Sequence, residues 1–145
     1  MYTVEQILNE KGGQVWTIGP DQTVYEALGL MAQHSLGALV VTENGQVIGM
    51  LSERDYARKI ILLGRSSSST QVREIMSAPV FTITADWDVE RCMRAMTDRR
   101  VRHLPVVQDG ALRGIISIGD IVKAIITSQQ TVIDQLSQYM QIKMP

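Results

Sequence analysis

Apolar residues recur along this chain in two rhythms that alternate in a fixed order. Val24, Ala27, Leu28, Met31 and Ala32 follow the three-and-four spacing of an amphipathic helix. The short oxygen-bearing residues from Asp21 to Thr23 stand before it as an N-terminal cap, and the helix is expected to end near His34. Two branched runs follow, Ala38-Leu39-Val40-Val41 and Val47-Ile48-Gly49-Met50-Leu51, separated by Glu43-Asn44-Gly45. Asn-Gly between branched runs signals a hairpin, because glycine takes positive φ at little steric cost and asparagine tolerates it. An extended piece, Val15-Trp16-Thr17-Ile18, precedes this unit and a second helix, from about Arg54 to Leu63, closes it. The predicted order is strand, helix, strand, strand, helix.

The same order returns without a gap: residues 15–61 align with residues 80–126, and fourteen of those forty-seven pairs are identical. They include Asp21/Asp86, Val24/Val89, Met31/Met96, Gly45/Gly110, Gly49/Gly114, Ser52/Ser117 and Asp55/Asp120. In the second copy the hairpin signal is Asp109-Gly110, the first helix carries Val89, Cys92, Met93 and Met96 and ends near Arg99, and the second runs from about Gly119 to Thr127. Two segments this alike are expected to share a fold and to pack as quasi-symmetric halves of one α/β (α+β) module.

Between the copies, Gly64-Arg65-Ser66-Ser67-Ser68-Ser69 reads as a flexible linker. Val72, Ile75 and Met76 after it echo Val4, Ile7 and Leu8 at the N-terminus, so each copy is expected to carry its own short leading helix. Val132, Ile133, Leu136, Tyr139 and Met140 have helical spacing beyond the second copy. The expected divisions are 1–64 for the first repeat with its leading helix, 65–79 for the linker and second leading helix, 80–128 for the second repeat, and 129–145 for a C-terminal helix.

The chain of 145 residues is 45% hydrophobic and 20% charged, which fits one well-buried core. A net charge of -1 gives no bulk attraction for nucleic acid or an anionic membrane, so phosphate affinity has to be local. The stretch Met1-Tyr2-Thr3-Val4-Glu5-Gln6 lacks a basic and apolar leader, and no run approaches the about 18 apolar residues of a spanning helix, which reads as cytoplasmic. Cys92 is the only cysteine and sits on an apolar helix face, a small hydrophobe rather than a redox centre. His34 and His103 are the only histidines, and no metal-ligand spacing surrounds them. His34 is read as a surface or cap residue. The eight methionines fall mostly on apolar helix positions as core filler.

The chemistry-bearing pattern is Gly49-Met50-Leu51-Ser52-Glu53-Arg54-Asp55, repeated as Gly114-Ile115-Ile116-Ser117-Ile118-Gly119-Asp120. It puts a serine and an aspartate where a strand passes into a helix. There the helix N-terminus and the hydroxyl can meet phosphate oxygens, while the carboxylate can accept two hydrogen bonds from a ribose diol. The alternative is that both serines are N-caps and both aspartates sit in the first helical turn because negative charge is favoured there.

The duplicated Gly-x-x-Ser-x-x-Asp, together with Arg102-His103-Leu104-Pro105-Val106, resembles a tandem pair of CBS domains over roughly residues 3–127. The resemblance implies two repeats joined through their sheets about a pseudo-twofold axis, with two clefts for an adenosine ligand such as AMP, ADP or ATP, or NAD(H) as a sensed ligand, and no required metal. It also implies a stand-alone pair that forms a homodimer and signals to an unknown regulated protein. Carried over residue by residue, the first cleft holds Asp55 for ribose, Ser52 at the ligand's polar edge, Met50 and Phe81 near adenine, and Arg102 with His103, followed by Pro105, toward phosphate. In the second, Asp120 and Ser117 take those roles, Ile115 and Trp16 flank the base, Gly37 and Ala38 stand where the first cleft has Arg102 and His103, and Arg54 supplies the missing positive charge. Base stacking and core packing remain open for Trp16 and Phe81.

An enzyme is unsupported: no histidine is placed to activate Ser52, and neither a phosphate-cradling glycine loop nor the Gly-x-Gly-x-x-Gly fingerprint is present. Nucleic-acid binding has only Arg99, Arg100 and Arg102 behind it, and Arg99 and Arg100 read as a solvated helix end. A ligand-independent interaction scaffold is the other alternative to a regulatory nucleotide-binding module.

Overall fold

The structure, a computed structural model, describes residues 2–143. Residues 1, 144 and 145, the outer ends of the divisions expected above, lie outside the described residues. The first repeat contains β1 (Thr17–Ile18), α2 (Val24–His34), β2 (Ala38–Glu43), β3 (Gln46–Ser52) and α3 (Glu53–Tyr56), preceded by α1 (Val4–Lys11). The second contains α5 (Val89–Arg99), β4 (His103–Gln108), β5 (Ala111–Ser117) and α6 (Ile118–Lys143), preceded by α4 (Val72–Ile75).

Local chemistry explains these elements. Thr23 caps α2 and forms a reciprocal box with Glu26, and Asp88 accepts from Arg91 N to cap α5. Both helices stop on a left-handed residue at the same repeat position, Ser35 and Arg100, each with φ 55°. Asn44-Gly45 and Asp109-Gly110 turn the two antiparallel hairpins with positive φ at both residues. The leading strand is parallel to β2 in the first repeat, whereas in the second it shrinks to a bridge between Ile83 and Val106. Each hairpin also shifts register at one equivalent point, Val41/Thr42 and Val106/Val107.

Alternation along the strands sorts the buried residues. Leu39, Val41 and Leu51 face the helices of the first repeat, as Leu104, Val106 and Ile116 do in the second. Ala38, Val40 and Pro105 are buried on the opposite faces, where the two sheets approach through β3 and β5.

The expectation that each repeat carries its own leading helix is corrected by the structure, which packs each leading helix on the other repeat. Val4, Ile7 and Leu8 of α1 belong to the core of the second repeat, with Ile83, Val89, Leu104 and Ile116. Val72 and Ile75 of α4 belong to the core of the first, with Ile18, Val24, Leu39 and Leu51. The exchange is pinned by equivalent backbone bonds. Val4 N donates to Trp87 O and Val89 N to Tyr2 O, while Val72 N donates to Gln22 O and Val24 N to Thr70 O, all at 2.8–3.0 Å. Two repeated glycines seat the exchanged helices: a Cβ on Gly49 would lie 2.5 Å from Met76 Sδ, and one on Gly114 would lie 2.6 Å from Leu8 Cδ2.

Three further elements differ from the sequence reading. The helix expected over 54–63 widens into a π turn at Ala57–Ile61, where Leu62 N bonds Ala57 O at 3.1 Å. The serine linker holds a 3-10 turn at Ser67–Ser69, and buried Thr70 ties it back by donating from Oγ1 to Ser66 O at 2.7 Å. The second helix of the second repeat and the expected C-terminal helix are one continuous α6, because no glycine or proline interrupts residues 120–143. No described helix is long and apolar enough to cross a membrane.

Ile7 is 4% exposed, so Ile7→Ala should cost about 2–5 kcal/mol in urea unfolding. Hydrogen exchange should then show lost protection in β4 and β5 rather than in the sequence-nearer β2 and β3.

Candidate functional site

The turn from β3 into α3 is organised by Ser52 and Asp55. Ser52 Oγ accepts from Asp55 N at 3.2 Å, and Asp55 Oδ2 accepts from Ser52 N at 3.0 Å and Ser52 Oγ at 3.1 Å. The second copy forms the same box, Asp120 N to Ser117 Oγ at 3.2 Å and Ser117 N to Asp120 Oδ2 at 2.8 Å. The capping alternative is therefore realised in both repeats. It leaves the carboxylates at the mouths of the strand-to-helix turns.

Around the first turn lies a cavity of about 670 Å³ between the repeats. Met50, Ser52, Glu53, Arg54, Asp55 and Ser77 line one side, and Val101, Arg102, His103 and Ile118 the other, a size that holds a small organic ligand. Met50, Ser52, Asp55, Arg102 and His103 are thus brought together as the first cleft requires. Arg54 and Gly37, assigned from the sequence to the second cleft, line this cavity instead. Arg54 donates from Nη1 to Arg100 O at 2.9 Å and so spans the two repeats. Gly37 also borders a shallower cavity of about 430 Å³ with Leu36 and Glu53.

Asp55 is 6% exposed rather than openly displayed in its cleft. Its Oδ1 accepts from Ser77 Oγ at 2.9 Å and pairs with Lys59 Nζ at 3.1 Å, so with the two Ser52 bonds all its acceptor sites are engaged. Neither Ser77 nor Lys59 stood out in the sequence. Lys59 is one helical turn beyond Asp55, a readable spacing, but Ser77 arrives with the exchanged leading segment.

The second carboxylate has different company. Asp120 borders a space of only about 70 Å³ between α1 and α6. Lys11 Nζ sits 2.8 Å from both Asp120 Oδ2 and Ile115 O. Ala38 is a buried sheet residue at 5% exposure, paired with Ser52. Trp16 stacks on His34 with ring centroids 3.6 Å apart and an interplanar angle of 15°. Phe81 lies under the Arg99 guanidinium at 3.6 Å and meets Trp87 edge-on. Both aromatics are occupied by neighbours in their own repeats and are not among the residues lining the large cavity. Pro105 is buried opposite Ile115, and its carbonyl accepts from Ile83 N.

His103 lies between the two clefts. Burial holds its imidazole below the ordinary 6.5, and the nearby charges of Lys11 and Arg102 push the same way, while Asp120 and Glu53 partly oppose them. Cys92 is fully buried, and burial pushes its thiol up to about 11. Among the described residues no group of three His, Cys, Asp or Glu side chains is placed to hold a metal ion.

The CBS domain family model matches residues 4–62 and 72–127. The chain belongs to the CBS-domain family. It is 40% identical to the mitochondrial CBS domain-containing protein CBSX3 of Arabidopsis thaliana, over 96% of this chain and 72% of that protein. A CBS-domain protein structure from Burkholderia ambifaria MC40-6 superposes with a TM-score of 0.84 at 45% identity, covering 88% of this chain and 96% of that one. Hypoxic response protein I, solved with two coordinated zinc ions, superposes with a TM-score of 0.70 at 25% identity, covering 86% and 99%. Pairs of CBS domains are in general regulatory, ligand-binding modules.

Because the folded His103 has a lowered pKa, the unfolded chain takes up its proton first as pH falls below 6.5. Stability should be fully retained above 6.5 and decline as pH falls from there through the folded value. In urea midpoints measured against pH, His103→Gln should flatten that segment of the curve.

Proposed function

We propose that this CBS pair is a regulatory module that binds an adenosine nucleotide, AMP, ADP, ATP or NAD(H), in the cavity between its repeats. The observation behind the reading is that one cavity of about 670 Å³ joins Asp55 and Ser52 of one repeat to Arg102 and His103 of the other. Met50, Val101 and Ile118 offer apolar contact for a base at one part of the wall, and the Arg54 and Arg102 guanidiniums offer paired donors for phosphate at another. The ribose diol donates to Asp55 by replacing the Ser77 hydroxyl, one neutral donor for another, while Lys59 keeps its place on the same carboxylate.

A ligand bridging the repeats favours whichever relative orientation brings both walls onto it, and a partner that distinguishes orientations reads its presence. Binding of this kind needs no turnover. The Arg99 to Arg102 cluster gives little to a nucleic-acid reading, since Arg99 covers Phe81 and Arg102 faces the cavity.

We also assign the exposed apolar line of α6 to a homodimer. Ile126, Ile133 and Met140 recur every seven residues, with Val122 one turn before them and Leu136 between the last two, and all five are at least 49% exposed. Exposed helix of this length is marginal in water without a packing partner, and a second copy supplies the same stripe in return. Leu136→Glu should convert dimer to monomer in sedimentation while leaving the far-ultraviolet dichroism of the body intact.

The test of the nucleotide reading is calorimetry of AMP and adenosine on nucleotide-stripped protein. Arg102→Ala should weaken AMP by roughly 10- to 100-fold, the loss of a charged hydrogen bond, and leave adenosine nearly unchanged. Equal losses for both would assign Arg102 to packing, and no saturable binding of AMP, ADP, ATP, NAD+ or NADH would leave the module as a scaffold.

A further inference from the structure

The two clefts are alike in backbone and unlike in what already touches their carboxylates. In the first repeat, Ser77 makes two contacts: its N–H donates to Met50 O at 2.8 Å and its hydroxyl donates to Asp55 Oδ1 at 2.9 Å. The equivalent acceptors in the second repeat are Ile115 O and Asp120, and there one group meets both. Lys11 Nζ donates to Ile115 O at 2.8 Å and to Asp120 Oδ2 at 2.8 Å. Lys11 ends α1 as Ser77 follows α4, so the two exchanged leading segments deliver a cation to one cleft and a hydroxyl to the other.

Lysine distribution completes the contrast. Asp55 has a cation from its own helix, Lys59, which also donates to Ile75 O and does not line the large cavity. The residue equivalent to Lys59 in the second repeat is Ala124. Asp120 therefore takes its cation from α1, on the side where Ser77 stands in the first cleft.

We infer that Lys11 is an internal occupant of the second cleft, a specificity determinant that restricts this CBS pair to one nucleotide per chain, bound in the first cleft. A ribose hydroxyl entering the first cleft replaces another neutral hydroxyl on a carboxylate that keeps its lysine. In the second cleft Lys11 shares Asp120 Oδ2 with Ser117 N, so a diol that uses both carboxylate oxygens has to displace an ammonium, whose charge-assisted bond is roughly twice as strong as the neutral one offered in exchange. Displacement also strips Ile115 O of its donor, a further cost with no return. The inference rests on the reading of the first cleft as a nucleotide site.

The experiment is calorimetric titration with AMP of the full chain, Lys11→Met, Lys11→Arg and Lys11→Met combined with Asp120→Asn. Lys11 is at an exposed helix end, and residue 120 offers an oxygen to Ser117 N as aspartate or as asparagine, so these chains should fold. The expected stoichiometries are about one AMP for the native chain and Lys11→Arg, about two for Lys11→Met, and about one again for the double variant. Two sites on the native chain, or one on Lys11→Met, would overturn the inference and leave the nucleotide reading standing. If the native chain binds no AMP but Lys11→Met gains a site that Asp120→Asn removes, the first-cleft reading falls, and with it the stoichiometry of one, while Lys11 stands as the occupant of the second cleft. Absence of AMP binding by every variant removes both.

Discussion

Everything in this fold depends on the crossing of two short helices. Each repeat offers a sheet and two helices whose shared apolar face stays incomplete until a helix from ahead of the other repeat covers it. Val4, Ile7 and Leu8 close the second core, and Val72 and Ile75 close the first. Burial of these side chains is worth roughly 1.5–3 kcal/mol each, so either helix contributes a large part of the about 5–15 kcal/mol that holds a domain of this kind together. The glycines at 49 and 114 follow from the same requirement, since a side chain there would collide with the incoming helix.

The crossing also builds the clefts. Because the leading segments run across the repeats, their C-terminal ends arrive beside the strand-to-helix turns, and Ser77 and Lys11 reach the capping carboxylates from there. Core closure and cleft chemistry are therefore set by one piece of topology. The aspartates serve two masters. One oxygen is committed to the cap that starts the helix, and what partners the carboxylate otherwise decides whether a diol finds neutral or charged competition.

Most of the architecture was legible because it is local. Asn44-Gly45 and Asp109-Gly110 set the hairpins, Thr23 and Asp88 the helix starts, and alternation along Leu39 to Val41 the sheet's inner face. The duplicated Ser-x-x-Asp was legible as a strand-to-helix junction, and the family resemblance joined Asp55 to Arg102 and His103. What escaped was whatever depends on which surfaces meet. The spacing of Val4, Ile7 and Leu8 says that a helix has an apolar side and is silent about which core receives it. Lys11 and Asp120 are 109 residues apart with no pattern connecting them. Arg54 was assigned to the second cleft to supply its missing positive charge, whereas it lines the first and its guanidinium turns to the Arg100 carbonyl. Trp16 and Phe81 show the reverse case: their residue types suited a base, and neighbours within their own repeats already use their faces.

The exchanged helices give the chain an unusual order of assembly. During synthesis α1 leaves the ribosome ahead of both repeats, yet the surface it packs on is not finished until β5 ends at Ser117. By contrast, α4 emerges just after the repeat it completes and can dock at once. The first repeat can therefore mature while most of the second is still unmade, and the earliest helix waits, apolar face uncovered, for the last strand. Made before either repeat, α1 is among the last of these elements to find its place.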